Sequence, residues 1–417
     1  MSFDLSPCQE KAAQVLRETR ENIFLTGRAG SGKSFLISHF LKDKDRKYFP
    51  IVASTGAAAV LVGGRTFHSF FGLGVMEGGV EKTVERALEN RRLTQRLRQI
   101  EGFILDEISM ISGPTLRAAE AICRLARKKD EPWGGARVIA VGDFAQLPPV
   151  SVQNSQKEWA FLDGVWQRSC FKPLLLNTIL RSQDQTYTGV LNDIREGIVS
   201  DKVEYYLNRK TNPDYELQQE VAKTHLFPRR DTAEDFNKKR LAQIKEPARD
   251  FPTLYMGEAK AVEQMKRQAP IPELLQLKES ALVMLRVNDT QYRYVNGSLA
   301  YVIKMSDDVL TLQLKNGKEI EIEKNTFSLQ GPDGYAVASA TNFPVTLAYA
   351  TTIHKAQGAT LDEMVCDLRR LWEPGQAYVA LSRLRSGEGL TLTGWDRGSI
   401  RVDQEVVKFH ESLEEDR

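Results

Sequence analysis

The strongest structural signal in this chain is the stretch IFLTGRAGSGKSFLISHF, residues 23–40. A short apolar run, Ile23–Thr26, leads into Gly27–Ser34, which matches the phosphate-binding pattern G-x-x-x-x-G-K-[S/T] at every fixed position. Glycines let the backbone wrap closely around phosphates, the amide N–H groups turn inward, and the N-terminus of the next helix adds a favourable field. The stretch therefore predicts a strand, a phosphate-binding loop and a helix; a chance Gly-rich turn is the alternative, which the flanking elements disfavour.

Two side chains of this loop have chemically defined roles. Lys33 would bridge the β- and γ-phosphates, and the Ser34 hydroxyl would bind Mg²⁺. The rest of the loop supplies the other predicted nucleotide contacts, at Gly27, Ala29, Gly30, Ser31 and Gly32. The expected ligands are therefore Mg²⁺ and either ATP or GTP.

A carboxylate pair follows a second apolar run, in GFILDEISMI, residues 102–111. Asp106 fits as an anchor for Mg²⁺, and Glu107 fits as the group that orients or deprotonates the attacking water. Because the pair directly follows a buried strand, we expect it at the carboxyl edge of the sheet, where open α/β folds bind ligands. The pair and the loop together predict hydrolysis of a nucleoside triphosphate, whereas an isolated Asp-Glu pair would be solvated surface charge.

A third strand, in ARVIAVGDF, residues 136–144, runs into Ala145–Pro149. The amide of Gln146 would then lie at the same sheet edge, able to hydrogen-bond a γ-phosphate and to respond when that phosphate leaves. An ordinary proline-stiffened turn is the alternative, and this motif alone does not separate the two.

The hydrophobic pattern of the first part of the chain predicts an α/β fold. Apolar runs at Ile23–Thr26, Ile51–Ser54, Phe103–Leu105 and Val138–Val141 alternate with helical stretches. That alternation is typical of a parallel sheet covered by helices. The charged span from Gly72 to Arg98 predicts a small helical insertion between two core strands.

Residues 280–325 have a different pattern. Leucines alternate at 310, 312 and 314 before an Asn316-Gly317 turn, and isoleucines alternate at 320 and 322 after it. This pattern predicts a β-hairpin, and a second Asn-Gly pair at 296–297 suggests a small inserted β-barrel. Beyond it, Val345–Thr351 resumes the pattern of a buried strand.

Composition narrows the class of protein further. The chain has 417 residues, 41% of them hydrophobic, and 57 lysines and arginines against 55 aspartates and glutamates, a net charge of +2. A disordered chain is excluded, and overall charge argues neither for nor against an anionic partner. The four cysteines form no CxxC pair, which favours a reducing compartment over a zinc finger or disulfide scaffold. We expect a cytoplasmic protein without a signal peptide or membrane span.

Several motifs recur in a characteristic order along nearly the whole chain. They are GRAGSGKS, STGAAAVLVGGRTFHSFF, LDEISM, GDFAQLPPV, TTIHKAQGATLD and YVALSRLRS. The set resembles the Pif-type (petite integration frequency) DNA helicases of superfamily 1B, close relatives of RecD. The resemblance implies two RecA-like parallel-sheet lobes, at residues 1–176 and 177–417. It also implies a wedge-like helical insertion at residues 70–99 and an SH3-like barrel within approximately 250–340.

The same resemblance assigns further nucleotide-site residues. Gln9, in Leu5–Gln9, would recognise adenine and so favour ATP, and Gly358 would lie near the nucleotide. Arg383 resembles the arginine finger, and Arg181 resembles a second arginine facing the γ-phosphate. The segment around Arg181 departs from the family pattern, because Leu-Arg-Ser replaces the usual Phe-Arg-Gln.

The resemblance also implies a track for single-stranded DNA. Its predicted contacts are Thr55, Gly56, Phe67, His68, Thr352, His354 and Lys355. Hydroxyls and basic groups would hold phosphates, and Phe67 would stack on a base. For Phe67 a place in the core is the alternative, and for either histidine a structural hydrogen bond.

These features predict an ATP-dependent helicase that moves 5′→3′ on single-stranded DNA and unwinds duplex or structured DNA. The expected protein is a monomer of bacterial or phage type, and the family link implies DNA repair, recombination and telomere maintenance. No residue indicates a preference among forks, G-quadruplexes and RNA–DNA hybrids. The main alternative is a P-loop ATPase that remodels a protein partner without moving on DNA, and a binding module without turnover is a second.

Overall fold

The computed structural model describes residues 5–61, 64–74, 76, 78–149, 157–215, 223–289, 291, 293–330 and 336–415. The chain divides into two compact units. Unit 1 comprises Met1–Leu180, Ser328–Val337 and Asp403–Arg417, and unit 2 comprises Arg181–Phe327 and Ala338–Val402. Among the helices of the described ranges, none combines the length and apolar character needed to cross a bilayer.

Unit 1 is built on a six-stranded parallel sheet with the order β3-β2-β4-β5-β1-β6. Its strands are β1 (Ile23–Gly27), β2 (Ile51–Ala53), β3 (Arg65–Thr66), β4 (Gly102–Asp106), β5 (Arg137–Gly142) and β6 (Lys172–Leu176). Strands β1, β4 and β5 are buried along almost their whole length, as expected for a sheet covered on both faces. The predicted α/β class is therefore confirmed.

Helices connect and flank these strands. They are α1 (Pro7–Glu18), α2 (Lys33–Phe40), α3 (Gly56–Leu61), α4 (Phe67–Phe71), α5 (Gly79–Glu89), α6 (Arg91–Gln99), α7 (Gly113–Arg127) and α8 (Gly164–Arg168). Local capping explains two of these starts. Ser6 and Gln9 form a capping box with Pro7 at the first helical position of α1, and the Ser112 hydroxyl accepts from the Thr115 N–H to begin α7.

The predicted insertion is helical and consists of α5 and α6. Both helices pack against α7. Arg98 Nε donates to the Ala126 carbonyl at 2.7 Å, and Arg127 Nη1 donates to the Leu97 carbonyl at 2.7 Å. Each of the two helices α6 and α7 thus contributes one arginine that donates to a carbonyl of the other helix. These bonds hold the insertion against α7.

The C-terminal helix of the described chain, Gln404–Glu415, belongs to unit 1. The Phe409 ring stacks on Phe161 with centroids 4.3 Å apart and also contacts Phe24 and Phe144. The sequence assigned residues 177–417 to the second lobe, whereas this aromatic packing groups the described residues from 403 onward with unit 1.

Unit 2 contains a four-stranded parallel sheet with the order β18-β7-β19-β20. These strands are β7 (Thr224–Phe227), β18 (Ala350–Thr352), β19 (Met364–Asp367) and β20 (Leu390–Gly394). The helices are α9 (Gln185–Arg195), α10 (Asp201–Lys210), α11 (Arg230–Gln243), α12 (Ala259–Gln268) and α13 (Gln376–Leu381), after which the C-terminal helix is α14.

The predicted β-rich segment forms antiparallel sheets. Its strands are β8 (Arg249–Pro252), β9 (Leu254–Gly257), β10 (Leu274–Leu277), β11 (Leu282–Leu285), β12 (Leu299–Met305), β13 (Val309–Leu314), β14 (Glu319–Glu323), β15 (Asn325–Gln330), β16 (Ala336–Asn342) and β17 (Val345–Leu347). The largest sheet has five strands in the order β14-β13-β12-β11-β17. Leu310 pairs with Ile322 and Leu312 with Ile320, which confirms the hairpin, and Gly317 at its turn has a φ of 84°.

The predicted strand at 345–351 is divided between two sheets. β17 pairs antiparallel with β11, whereas β18 pairs parallel with β7. The chain changes sheets at Ala348, whose N–H donates to the Leu282 carbonyl at 3.0 Å. A continuous apolar run does not reveal such a change, because both strands are largely buried.

Candidate active site and nucleic-acid interface

The phosphate-binding loop has the predicted strand, turn and helix. It connects β1 to α2, and Gly30 and Gly32 have φ values of 81° and 82°. A Cβ atom on Gly32 would lie 2.3 Å from Gln9 Nε2, so both conformation and space require glycine there. The loop therefore has the backbone needed to surround phosphates.

Lys33 and Ser34 begin α2. Lys33 Nζ donates to the Gly27 carbonyl at 2.7 Å and to the Arg28 carbonyl at 3.3 Å. The ammonium group thus lies over the loop, and the Ser34 side chain is exposed. Ser31 Oγ is buried without a hydrogen-bond partner, which leaves a hydroxyl inside the loop for a ligand atom. A cation, an available hydroxyl and a helix N-terminus fit a triphosphate.

Gln9 lies against the loop and is fully buried. Its Oε1 accepts from the Ser6 N–H at 3.0 Å, and its Nε2 lies 3.3 Å from the Ser31 carbonyl and 3.4 Å from the Gly32 carbonyl. The structure thus brings Gln9 to the predicted nucleotide site, with its amide holding the loop.

Asp106 and Glu107 lie at the carboxyl end of β4, as predicted. Burial and then the charge of Glu107 raise the pKa of Asp106 to about 7, against the lowering effects of the Glu107 N–H and of the Lys33 charge. Glu107 has a φ of 56°, and its N–H donates to Asp106 Oδ1 at 3.0 Å. A carboxylate this poorly neutralised by protein groups suits a divalent cation.

The donor set also fits Mg²⁺ bound together with phosphates. The described residues contain no group of three or more His, Cys, Asp and Glu side chains that could hold a metal. Mg²⁺ commonly uses one or two protein ligands and takes the others from phosphates and water. Ser34 and Asp106 match that arrangement.

Gln146 follows β5 and is 6% exposed. Its N–H donates to the Asp143 carbonyl at 2.9 Å, and Asp143 Oδ1 accepts from the Ala145 N–H at 3.2 Å. Asp143 is fully buried and has His410 Nε2 of α14 3.8 Å from its carboxylate. Asp143 is not among the residues predicted from the sequence. An acidic residue directly after a buried strand, the signal that identified Asp106, would have found it.

Arg181 and Arg383 are neighbours in unit 2. Arg181 Nη1 donates to the Ser382 carbonyl at 2.6 Å, and Arg383 Nη2 donates to the Ser382 hydroxyl at 2.8 Å. Burial and then the positive charge of Arg383 lower the pKa of Arg181 to about 9. Despite the unusual Leu-Arg-Ser segment, the structure therefore places Arg181 beside the predicted arginine finger.

The predicted DNA contacts of unit 1 differ in their exposure to solvent. Thr55 Oγ1 accepts from the Ala58 N–H at 3.2 Å and so caps α3, which begins at Gly56. Phe67 is 0% exposed, and its ring lies 4.9 Å from that of Phe71. A place in the core was the alternative interpretation for Phe67. A ring that is buried in this way is not placed to stack on a base. His68 is partly buried, and burial lowers its pKa.

The predicted contacts of unit 2 follow β18. Thr352 Oγ1 accepts from the Lys355 N–H at 3.1 Å, which forms a turn, and His354 and Lys355 are exposed on it. Gly358 has a φ of 80°, and a Cβ atom built there would meet no described atom beyond its chain neighbours within 4 Å. The structure thus brings Thr352, His354 and Lys355 together on one turn.

Fold and site define a P-loop nucleoside triphosphatase. The profile of the PIF1-like helicase family matches residues 8–204. The chain is 51% identical to the ATP-dependent DNA helicase Pif1 of Bdellovibrio bacteriovorus over 412 residues, 99% of this chain and 93% of that protein. This chain therefore belongs to the PIF1-like helicase family.

Solved structures agree with this assignment. The Bacteroides Pif1 in complex with ADP-AlF4 is similar with a TM-score of 0.86 and 28% identity, over 100% of this chain and 98% of that one. The Bacteroides Pif1 bound to single-stranded DNA is similar with a TM-score of 0.65 and 28% identity, over the same shares. The ATP-dependent DNA helicases PIF1 of Xenopus laevis and Danio rerio are 34% and 33% identical over 95% of this chain. Both are longer proteins, and this chain spans 62% of their length.

Proposed function

We propose that this protein moves 5′→3′ along single-stranded DNA and unwinds forked or structured DNA, driven by hydrolysis of ATP with Mg²⁺. Membership of its family makes it an ATP-dependent DNA helicase. The direction, the strand that it follows and the ion are our own proposal. The observation that carries it is the phosphate-binding loop after β1, with Lys33 at the start of α2 and Asp106 at the carboxyl end of β4 in the same parallel sheet.

The nucleotide chemistry follows from the residues of that loop and their neighbours. Lys33 would exchange its two loop carbonyls for phosphate oxygens, because these are stronger acceptors for an ammonium group. Ser34 and Asp106 would hold Mg²⁺, which supplies positive charge to the phosphates when bound. Glu107 would orient or deprotonate the attacking water.

Three side chains complete the proposed set for hydrolysis. Gln146 would hydrogen-bond the γ-phosphate, and Arg181 and Arg383 would neutralise charge that develops on the transferred group. The support for the arginines is their mutual proximity and partial or complete burial. A desolvated guanidinium acts more strongly on a nearby phosphate than a solvated one.

The proposed strand contacts use hydroxyls, backbone and basic groups. Thr55, Gly56 and His68 would serve unit 1, and Thr352, His354 and Lys355 would serve unit 2. These contacts tolerate any sequence because they address phosphates. A related Pif1 from Bacteroides has been solved bound to single-stranded DNA, and another relative with forked duplex DNA, which supports these partners.

One set of ATPase measurements tests the proposal. We expect single-stranded DNA to stimulate hydrolysis by the wild type. Lys33→Ala should lower the stimulated rate on the order of 10²- to 10³-fold, because a charge-stabilising donor is lost. Lys42→Ala, which removes an exposed lysine from the same unit, is the matched control.

The direction needs a second assay. Duplexes with either a 5′ or a 3′ single-stranded tail should be compared, and only the 5′-tailed duplex should be unwound. Unwinding of the 3′-tailed duplex alone would overturn the direction. An ATPase rate indifferent to DNA would instead favour remodelling of a protein partner.

A further inference from the structure

The C-terminal helix α14 contacts the segment that carries Gln146. Two consecutive residues of the helix meet two consecutive residues that follow β5. The Phe409 ring lies 5.5 Å from that of Phe144, edge to face. The next residue of the helix, His410, has its Nε2 atom 3.8 Å from Asp143 Oδ1. Phe144 and Asp143 are both buried, so α14 covers the start of this segment with one apolar and one polar contact.

The position of His410 is fixed by the packing of its helix. Just before α14, Asp403 Oδ2 accepts a hydrogen bond from Trp159 Nε1 at 2.8 Å. Near the middle of the helix, the Phe409 ring stacks on Phe161 with the ring planes 11° apart. All of these residues belong to unit 1. The helix is therefore held at its start and at its centre, and the imidazole cannot drift far from its place.

Asp143 shapes the turn that presents Gln146. Its side-chain Oδ1 accepts from the Ala145 N–H at 3.2 Å, and its carbonyl accepts from the Gln146 N–H at 2.9 Å. An aspartate that bonds the backbone two residues further on is a common way to fix a turn. The direction in which Gln146 leaves the turn thus depends on the place of the Asp143 carboxylate.

This turn begins beside the predicted catalytic carboxylates. β5 pairs with β4 in the sheet, and a Cβ atom built on Gly142 would lie 3.1 Å from the Ile108 nitrogen. Ile108 directly follows Glu107. A shift of the turn would therefore move Gln146 relative to the group proposed to act on water.

A buried carboxylate needs protein groups to replace its hydration. Asp143 is 0% exposed, so water cannot take that role in the folded chain. The His410 side chain is 16% exposed, and its Nε2 is within ion-pair distance of Asp143. A contact of 3.8 Å is too long for a direct hydrogen bond, so the imidazole acts here through its charge or its N–H dipole.

We propose that His410 is a positioning residue for ATP hydrolysis. It stabilises the Asp143 carboxylate and, through it, the turn that presents Gln146 to the γ-phosphate. This inference rests on the proposed function, which assigns Gln146 to that phosphate. His410 itself contacts Asp143 and does not need to touch the nucleotide.

The test measures kcat and KM for ATP with saturating single-stranded DNA. His410→Leu, which removes the ring nitrogens, should lower kcat about fivefold to tenfold, below the roughly 10²-fold that a misplacement of 1 Å can cost. KM should stay within about twofold, because the phosphate-binding loop is unchanged. His410→Gln, whose amide N–H reaches the same point as Nε2, should keep most of kcat. Glu411→Leu, at the exposed neighbouring position of α14, should match the wild type.

A double variant shows whether His410 acts through Gln146. Gln146→Ala alone should lower kcat, and Gln146→Ala combined with His410→Leu should be no slower than Gln146→Ala. Substitutions that act on one unit of the site do not add, whereas independent ones do. Losses that multiply would show that the histidine only supports the fold, and they would overturn the proposal.

A second pair of variants separates positioning from folding. If His410→Leu does not fold, His410→Asn replaces it, since asparagine is polar but too short to reach the point that Nε2 occupies. At equal Tm, His410→Asn should be slower than His410→Gln. Equal kcat values for these two variants would overturn the proposal.

The remaining outcomes distinguish this inference from the proposed function. If Gln146→Ala lowers kcat while His410→Leu hydrolyses ATP at the wild-type rate, this inference is wrong and the proposed function stands. If Gln146→Ala has the wild-type rate, Gln146 is not part of the set for hydrolysis and this inference fails with it. A wild type whose hydrolysis does not respond to single-stranded DNA would contradict both.

Discussion

The two units surround their functional residues with different kinds of interior. In unit 1, the strand that carries the phosphate-binding loop packs through Phe24 against the rings of Phe144 and Trp166. In unit 2, the interior around β7 and α13 contains His225, 7% exposed, and Arg383, 2% exposed. Apolar rings hold β1 at no electrostatic cost, although unit 1 also buries Asp143. Around β7 and α13, by contrast, the buried side chains themselves lose hydration and respond to charge.

Among the buried polar groups of unit 2, Arg383 should have the largest effect on activity. We expect Arg383→Ala to lower DNA-stimulated ATP hydrolysis on the order of 10³- to 10⁵-fold, the range for a lost arginine finger, with nucleotide affinity much less affected. Steady-state ATPase rates and binding of a fluorescent ATP analogue measure the two effects separately. Tm should be recorded as well, because Arg383 Nε also donates to the Val379 carbonyl at 2.8 Å.

Arg385 provides the matched control for this variant. It lies two residues further along the chain and pairs with Asp362 at 3.1 Å, with its side chain 59% exposed. Arg385→Ala should hydrolyse ATP almost as the wild type does, because an exposed ion pair contributes little. Equal rates for the two variants would remove Arg383 from the chemistry.

Local chemistry explains which features the sequence could predict. The loop at 27–34 and the hairpin turn at Asn316–Gly317 each depend on consecutive residues that need glycine for their backbone conformation. Asp106 could be placed because it directly follows a buried strand. In each case the determining contacts lie within a few residues.

Long-range packing explains what could not be predicted. The return of α14 to unit 1 depends on Phe409 meeting Phe161, about 250 residues earlier in the chain. Phe67 has the aromatic ring that base stacking requires, yet this ring lies in the core with Phe71.

Phe409 tests how much the apolar packing of unit 1 contributes to its stability. Phe409→Ala should destabilise unit 1 by about 2–3 kcal/mol, less than a fully buried phenylalanine because the ring is half-buried. The loss should be nearly independent of pH between 5 and 8, since the ring contacts are apolar. Chemical denaturation at two pH values measures both statements.

The control for Phe409→Ala is Leu162→Ala in the same unit. Leu162 is 48% exposed, so its truncation should change stability by less than about 0.5 kcal/mol. Similar losses for the two variants would contradict the role of α14 in the packing of unit 1.

His225 tests the buried polar groups of unit 2 through the pH dependence of stability, where we expect the smallest effect. Burial is the main cause that lowers the pKa of His225 to about 4, and its ring lies 4.4 Å from that of Phe236. An ordinary histidine titrates near 6.5, so between pH 6.5 and pH 4 the unfolded chain binds a proton that the folded chain does not. The contribution of His225 to stability is therefore complete above about pH 6.5 and declines as the pH falls to 4.

We expect this histidine to cost unit 2 about 1–2 kcal/mol between pH 7 and pH 5. His225→Phe removes the titrating group and keeps an aromatic ring beside Phe236, so it should flatten that decline. Hydrogen exchange of the β7 amides at both pH values reports the local stability, because β7 lies inside the four-stranded sheet. Between pH 7.5 and 8.5 neither protein should change, since both side chains are then neutral. A decline of equal size in wild type and variant would show that His225 is not the group that makes unit 2 sensitive to acid. The contrast between the units would then depend on Arg383 alone.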